Sequence, residues 1–120
     1  MPGHRKVRRH TMTRAAALDI GSTSLTLLIA DVSAKGEIRR VARHKAMLRL
    51  GAVLSGGGPI PPAICEQVLH AARVLRVAAE RKGAEVLLPV ATEAIRRARN
   101  GKRLAEAIGE AIEEPVRILT

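Results

Sequence analysis

Apolar residues fill the chain from Ala15 to Ile20, broken only by Asp19, and again from Leu25 to Ala30, broken only by Thr26, with Gly21-Ser22-Thr23-Ser24 between. Short apolar runs bounded by turn residues predict two buried strands joined by a small polar turn. Asp31 to Glu37 reads as a turn, and Ile38 to Leu50 as a long third strand with mixed faces. Gly51 to Pro62 is rich in Gly and Pro; its Gly56-Gly57-Gly58-Pro59 run reads as a flexible connector. Pro61 and Pro62 open a helix to about Lys82. Its apolar stripe is Ile64, Val68, Ala71, Ala72, Leu75 and Ala79, and Gly83 ends it as a C-cap. Glu85 to Ala91 is an apolar strand, and the helix before it favours parallel pairing with an earlier strand. Pro89 is awkward in a central strand. Thr92 caps a short helix, Asn100 caps a second from Gly101 to about Ile112, and Pro115 breaks that one before a strand at Val116 to Leu119. The expected class is α/β, in the order βββαβ(α)αβ, with a mixed sheet and no internal repeat.

Composition narrows the picture. A chain of 120 residues with 47% hydrophobic content suits one domain with an ordinary core. It holds no Phe, Tyr or Trp, so Leu, Ile, Val, Ala and Met must build the core, and stacking of bases on aromatic rings is excluded. The lone Cys65 excludes an internal disulfide and a multi-cysteine metal site; it reads as a packed thiol on the helix's apolar face. No apolar run approaches the ~20 residues that span a bilayer, and no signal-like apolar core with a cleavage site follows the basic start. A cytoplasmic location, with no membrane partner, is expected.

The net charge of +10 is uneven. Residues 1–14 carry Arg5, Lys6, Arg8, Arg9 and Arg14 and no acid. Three readings stand: a disordered basic tail, an arm that binds nucleic acid nonspecifically, or a native start at Met12. The expected division is a tail at 1–14 and a domain at 15–120. The third strand carries Arg39, Arg40, Arg43, Lys45 and Arg49. These form a solvated or edge-protecting face, or Lys45 or Arg49 faces an anion cleft. His44 has no second His or Cys at ligand spacing.

The candidate chemistry lies in the turn after Ile20. Gly21 lets the backbone approach a ligand. Successive amides there can form an anion-binding concavity, to which Ser22, Thr23 and Ser24 add hydroxyls. Asp19 at the strand end can hold a cation through water beside that anion. Hairpin turns also use Asp, Gly and Ser for backbone reasons alone. No Lys follows as in a GxxxxGKS loop. Arg96, one turn into the short helix, could clamp phosphate bidentately, or belong with Arg97 and Arg99 to a basic helix face. The phosphate reading requires the amides after Ile20 and the Arg96 guanidinium to converge, with the Gly21 amide free of the hairpin.

Asp19-Ile20-Gly21-Ser22-Thr23-Ser24 resembles the first phosphate loop of the actin-like ATPases, which include sugar kinases, heat-shock chaperones and exopolyphosphatases. The element order resembles their ribonuclease-H-like half-domain, stopping before its last helix. Arg43-His44-Lys45 through Arg49-Leu50-Gly51 resembles the third-strand segment of the exopolyphosphatase / guanosine pentaphosphate phosphohydrolase (Ppx/GppA) family. Ala91-Thr92-Glu93-Ala94-Ile95-Arg96-Arg97-Ala98-Arg99-Asn100 resembles that family's Ala-Thr-x-Ala-x-Arg-x-Ala-x-Asn segment, the most specific of the three. The resemblance covers residues 15–120. It implies hydrolysis of polyphosphate or guanosine pentaphosphate with a divalent metal, Mg2+. Gly21, Ser22, Thr23, Ser24, Arg96 and Asn100 would bind phosphate, and Asp19 would sit near the metal.

The chain departs from the family pattern in two places. Thr23 stands where the family usually has Asn, and Glu93 where it has a small residue. The family's catalytic glutamate lies in a Ser-Gly-x-Glu-Glu-Ala segment just after the strand at which this chain stops, and so beyond Thr120. No catalytic residue is expected within the chain. The resemblance therefore implies an amino-terminal portion that is inactive alone, since a hydrolytic water needs a positioned base. Two alternatives are a non-catalytic module holding polyphosphate or phosphonucleotide, and a fragment of an actin-like sugar kinase. An incomplete domain would expose an apolar sheet face, so a homo-oligomer is expected.

Overall fold

The computed structural model describes residues 12–48 and 58–119. The expectations for residues 1–11, for Arg49 and for the Gly51 to Gly57 connector lie outside the described residues. So does Thr120, the residue beyond which the resemblance puts the family's glutamate. Strands β1 (Met12–Ile20), β2 (Ser24–Ser33) and β3 (Ile38–Met47) form an antiparallel meander. Helix α1 (Pro62–Arg81) crosses back to β4 (Val86–Ala91), which pairs parallel with β1. Then come α2 (Glu93–Arg97), α3 (Gly101–Ile112) and β5 (Arg117–Ile118), parallel to β4. The mixed sheet has the order β3-β2-β1-β4-β5.

One face of the sheet makes the core. Leu18 sits opposite Leu27, and Ile20 opposite Leu25; all four are fully buried. Val68, Ala72, Leu75 and Ala79 of α1, with Leu104, Ala105, Ile108 and Ile112 of α3, cover them. These are the stripes that the 3.6-residue period picks out. On the other face, Ala17 and Leu88 are exposed, Leu88 by 54%.

β1 covers Met12–Ile20, three residues more at its start than the strand expected from Ala15. Arg14 explains the extension. Its Nε donates to Asp31 Oδ1 at 2.8 Å and its Nη2 to Oδ2 at 3.1 Å, and Arg39 Nη2 reaches the same carboxylate at 3.2 Å. Asp31 is 6% exposed, and a carboxylate so buried requires a paired cation. β3 ends at Met47 rather than Leu50, and the Leu48 amide turns to donate to the Thr23 carbonyl at 2.7 Å. At the other end of the chain, β5 covers only Arg117 and Ile118 of the strand expected from Val116 to Leu119.

α1 closes as expected. Gly83 is left-handed at φ 77°, and the Gly83 and Ala84 amides donate back to Glu80 and Ala79. Thr92 and Asn100 occupy the N-cap positions of α2 and α3, but neither side chain caps its helix. Pro89 is accommodated in β4 opposite Leu18, where β5 has yet to join; β5 meets only Val90 and Ala91.

Candidate functional site at the carboxyl edge of the sheet

Ile20, Ala91 and Ile118 lie side by side at the carboxyl ends of three parallel strands. The segments leaving those strands therefore emerge in a row: the turn at Gly21, the α2 start at Thr92, and Leu119. The Thr92 amide donates to the Ile20 carbonyl at 3.3 Å and the Leu119 amide to the Ala91 carbonyl at 2.9 Å, which ties the row together. From β1 the chain passes to β2 on one side, and β4 returns on the other, so β1 is where the strand order reverses. Open α/β sheets bind ligands outside the carboxyl ends at such a point.

The turn is partly committed to its own hairpin. The Gly21 amide donates to the Ser24 carbonyl at 3.0 Å, so the condition set on the phosphate reading fails at Gly21, and an anion at this turn is left with the Ser22 and Thr23 amides. The Ile20–Leu25 pair leaves four residues to reverse the chain, and this bond closes the reversal. Gly21 acts sterically: a Cβ there would stand 3.3 Å from the Ser24 carbonyl oxygen. The Ser22 and Thr23 amides donate to no backbone carbonyl among the described residues, and both side chains are exposed. Ser24 is half-buried, with its Oγ 3.5 Å from Thr26 Oγ1.

Arg96 is exposed on α2, and its Nη1 donates to the Leu119 carbonyl at 3.0 Å. It sits on the same edge as the turn but leans toward β5, on the far side of β4. Only that one of its five N–H donors is used among the described residues. Glu93 is exposed and pairs with Arg97 at 3.0 Å along the helix, so its charge is met locally.

Asn100 lies elsewhere. Its Oδ1 accepts the Ile60 amide at 2.9 Å and its Nδ2 donates to the Ile60 carbonyl at 3.0 Å. Both ends of the side-chain amide are spent on holding the segment that leads into α1. A phosphate-binding role for Asn100 would have to displace these two bonds. Cys65 is half-buried beside it, its Sγ 3.6 Å from the Ile60 carbonyl, and burial pushes its thiol pKa up.

Asp19 is exposed at the end of β1, opposite Thr26 of β2, which is opposite Lys45 of β3. Cross-strand neighbours share a face, so Asp19, Thr26 and Lys45 form one polar row on the face away from α1. Thr26 escaped the sequence reading. The signal was present, since Ser24 and Thr26 are two apart in a strand and must share a face. No group of three metal-ligating side chains exists among the described residues. A single carboxylate with neighbouring hydroxyls still suits Mg2+, which is commonly held by one or two carboxylates, water and substrate phosphate. A concavity of about 700 Å³ lies between α3 and β5, but Glu106, Glu110, Glu113 and Glu114 line it and repel a phosphate. No helix among the described residues is long and apolar enough to cross a membrane.

Comparison with known proteins fits this geometry. No curated protein matches the chain in sequence. A Ppx/GppA family member of Aquifex aeolicus superposes with a TM-score of 0.81 at 27% identity, over 91% of this chain and 35% of that one. An exopolyphosphatase-like protein gives 0.82 at 25%, over 92% of this chain and 33% of that one. An exopolyphosphatase from Cytophaga hutchinsonii gives 0.79 at 20%, over 89% and 34%, a likeness of fold alone. The chain thus spans about a third of the length of these solved relatives. It shares with them part of an actin-like fold. The sequence model of the Ppx/GppA phosphatase family matches residues 28–120, and the chain belongs to that family.

Proposed function

We propose that the chain is the amino-terminal portion of a phosphohydrolase that cleaves phosphoanhydride bonds of polyphosphate or guanosine pentaphosphate, and that this portion binds phosphate without hydrolysing it. The observation that carries the reading is the row of Gly21, Thr92 and Leu119 at the carboxyl edge. It brings the turn and the Arg96 helix to one rim of the sheet. Family membership favours this over a sugar-kinase fragment.

The residues divide the work as follows. The Ser22 and Thr23 amides and the Ser22, Thr23 and Ser24 hydroxyls donate to phosphate oxygens; Gly21 shapes the turn. Arg96 supplies a guanidinium from the β5 side, and its bond to Leu119 holds it at the rim. Among the described residues, Asp19 at the end of β1 is the carboxylate assigned to hold Mg2+ through water, and a bound cation would neutralise charge on the phosphates. Phosphoryl transfer requires charge stabilisation from several directions and a positioned base. The turn and Arg96 provide part of the first. No residue here is assigned as the base, which the family resemblance puts beyond Thr120.

Two measurements on the purified chain test this. Titration with tripolyphosphate in the presence of Mg2+ is expected to show binding that Arg96→Ala weakens about tenfold, the worth of one charge-assisted contact. Phosphate release from polyphosphate or guanosine pentaphosphate is expected to be absent. Absence of binding would overturn the site, and steady phosphate release would overturn the inactivity.

A further inference from the structure

Strands β1, β4 and β5 run parallel, so their amino ends share one end of the sheet, opposite the rim that holds the turn. Met12 opens β1 at that end. Helix α3 runs back from the rim and closes at Glu113, just before β5, so its carboxyl end lies there too. Two strand spacings, roughly 10 Å, separate β1 from β5.

The concavity of about 700 Å³ between α3 and β5 reaches this end at Glu114 and Pro115. Ala105, Val116 and Ile118 give it an apolar floor, and Glu106, Glu110 and Glu114 an acidic rim. These three glutamates are exposed, and none forms an ion pair among the described residues. Glu113 is already paired with Arg76. Lys102 lines only the far end, at the start of α3. A second concavity of about 550 Å³ shares Glu114, Pro115 and Val116 with the first and continues to Leu88 on β4, the strand beside β1. The two make one channel from the neighbour of β1 to the middle of α3.

An apolar floor under a rim of glutamates fits an apolar residue flanked by cations. Residues 1–11 carry that pattern as Arg5-Lys6-Val7-Arg8-Arg9, with no acid among them. They join the sheet at Met12, at the mouth of the channel. Eleven extended residues reach roughly 36 Å at most. The rim from Glu106 to Glu114 is roughly 12 Å long by helix rise, so the arm spans both the gap and the groove. Its tether keeps it near the groove at an effective concentration of about millimolar, so that individually weak surface ion pairs suffice.

We propose that residues 1–11 dock into this groove of their own molecule, with Val7 on the apolar floor and the cations on either side paired with Glu106, Glu110 and Glu114. The inference stands apart from the proposed function, since neither the turn nor Arg96 takes part. Docking offsets part of the arm's charge and withdraws it from nonspecific contact with nucleic acid and other polyanions. The basic β3 edge of a second copy is the poorer occupant, because it must bring together two chains of net charge +10 without a tether.

The test uses the 120-residue chain and two readouts. Carbodiimide joins an amine to a carboxylate in direct contact, and Lys6 is the one lysine ahead of β1. Its cross-links are expected at Glu106, Glu110 and Glu114; a spread over Glu37, Glu66 and Glu80 in equal yield would overturn the docking. Trypsin cuts after Arg5, Lys6, Arg8 and Arg9 at a rate that follows the undocked fraction. Cutting is expected to be about tenfold slower in the chain than in a free peptide of residues 1–11, and to recover in high salt. Glu110→Gln/Glu114→Gln should speed it about fivefold, the worth of two exposed pairs. Glu66→Gln/Glu93→Gln, which removes equal charge from exposed positions on α1 and α2, should change it little. Equal acceleration in both variants would reduce the effect to net charge and overturn the groove. Cutting of the unaltered chain at the peptide's rate would overturn it as well. Protection that grows with protein concentration would put the arm on a second copy and overturn docking within one molecule.

Discussion

Asn100 holds both polar groups of Ile60, accepting its amide at 2.9 Å and donating to its carbonyl at 3.0 Å. Ile60 is 2% exposed, so neither group has water as a ready substitute. This contact fixes the segment before α1 to the junction of α2 and α3. Asn100→Ala should therefore cost about 2 kcal/mol, two hydrogen bonds at ~1 kcal/mol each. The denaturant midpoint should fall while its slope stays the same. Tripolyphosphate affinity, corrected for the folded fraction, should change less than twofold. A large affinity loss at unchanged stability would return Asn100 to the anion site.

Asp31 makes stability depend on acid. The Arg14 guanidinium, helped by Arg39, holds its carboxyl at about 2, below the ordinary 3.8. A carboxyl whose folded pKa is depressed contributes stability that is complete above its ordinary pKa and is lost as pH falls through the folded value. The chain should thus weaken between about pH 4 and pH 2. Arg14→Ala should lower the melting temperature at pH 7 and flatten the profile across that window. An unchanged slope of melting temperature against pH would show that Asp31 is not the group responsible.

Gly101 is required by contact, not by backbone conformation. A Cβ on it would lie 1.7 Å from the Ile95 carbonyl oxygen and 3.5 Å from the Ala98 Cβ. The first turn of α3 is pressed against the end of α2, and a backbone atom cannot rotate aside. Gly101→Ala should cost about 3 kcal/mol or more, the upper end of the usual range for an added methyl in a packed interior. Because α2 carries Arg96, the variant should also lose tripolyphosphate affinity beyond what its unfolded fraction explains. Gly58→Ala, where a Cβ meets nothing within 4 Å, is the matched control.

What the sequence disclosed and what it withheld follow from the range of the forces involved. Periodicity placed α1 and α3 within a residue or two, because an amphipathic stripe is local information. The crossover from α1 into β4 foretold the parallel β1–β4 pair through a handedness rule that needs no side-chain detail. Glycine at the end of α1 announced its left-handed cap. Contacts between distant residues were hidden. Nothing near Asp31 in the chain says that Arg14 must neutralise it, so the apolar pattern alone starts β1 three residues late. Nothing near Asn100 says that Ile60 will take its amide, and a cap was the reasonable local expectation. At the site, Asp19 and the turn were legible as a motif. The closing bond from Gly21 to Ser24 was not, because it depends on how tightly the hairpin reverses.

The end of α3 carries a correctable strain. Its C-cap is Glu113, left-handed at φ 60°, the sole non-glycine residue with positive φ among those described. Pro115 stops the helix, and the Glu114 amide donates back to the Gly109 carbonyl, so the chain must turn at residue 113 whatever side chain is there. A left-handed conformation costs a residue with a Cβ roughly 1–2 kcal/mol, and glycine almost nothing. Against this, Glu113 Oε2 accepts from Arg76 Nη2 at 3.0 Å. That carboxylate is 75% exposed, and such a surface pair adds about 0.2–1 kcal/mol. Glycine also loses more freedom on folding, which offsets part of the gain. The net expectation for Glu113→Gly is a stabilisation of about 0.5–1 kcal/mol, read as a higher denaturant midpoint. Glu113→Asn should fall between the two, since Asn tolerates the left-handed region better than Glu. A loss of stability in Glu113→Gly that Arg76→Gln reproduces would mean that the ion pair, not the backbone, decides this turn.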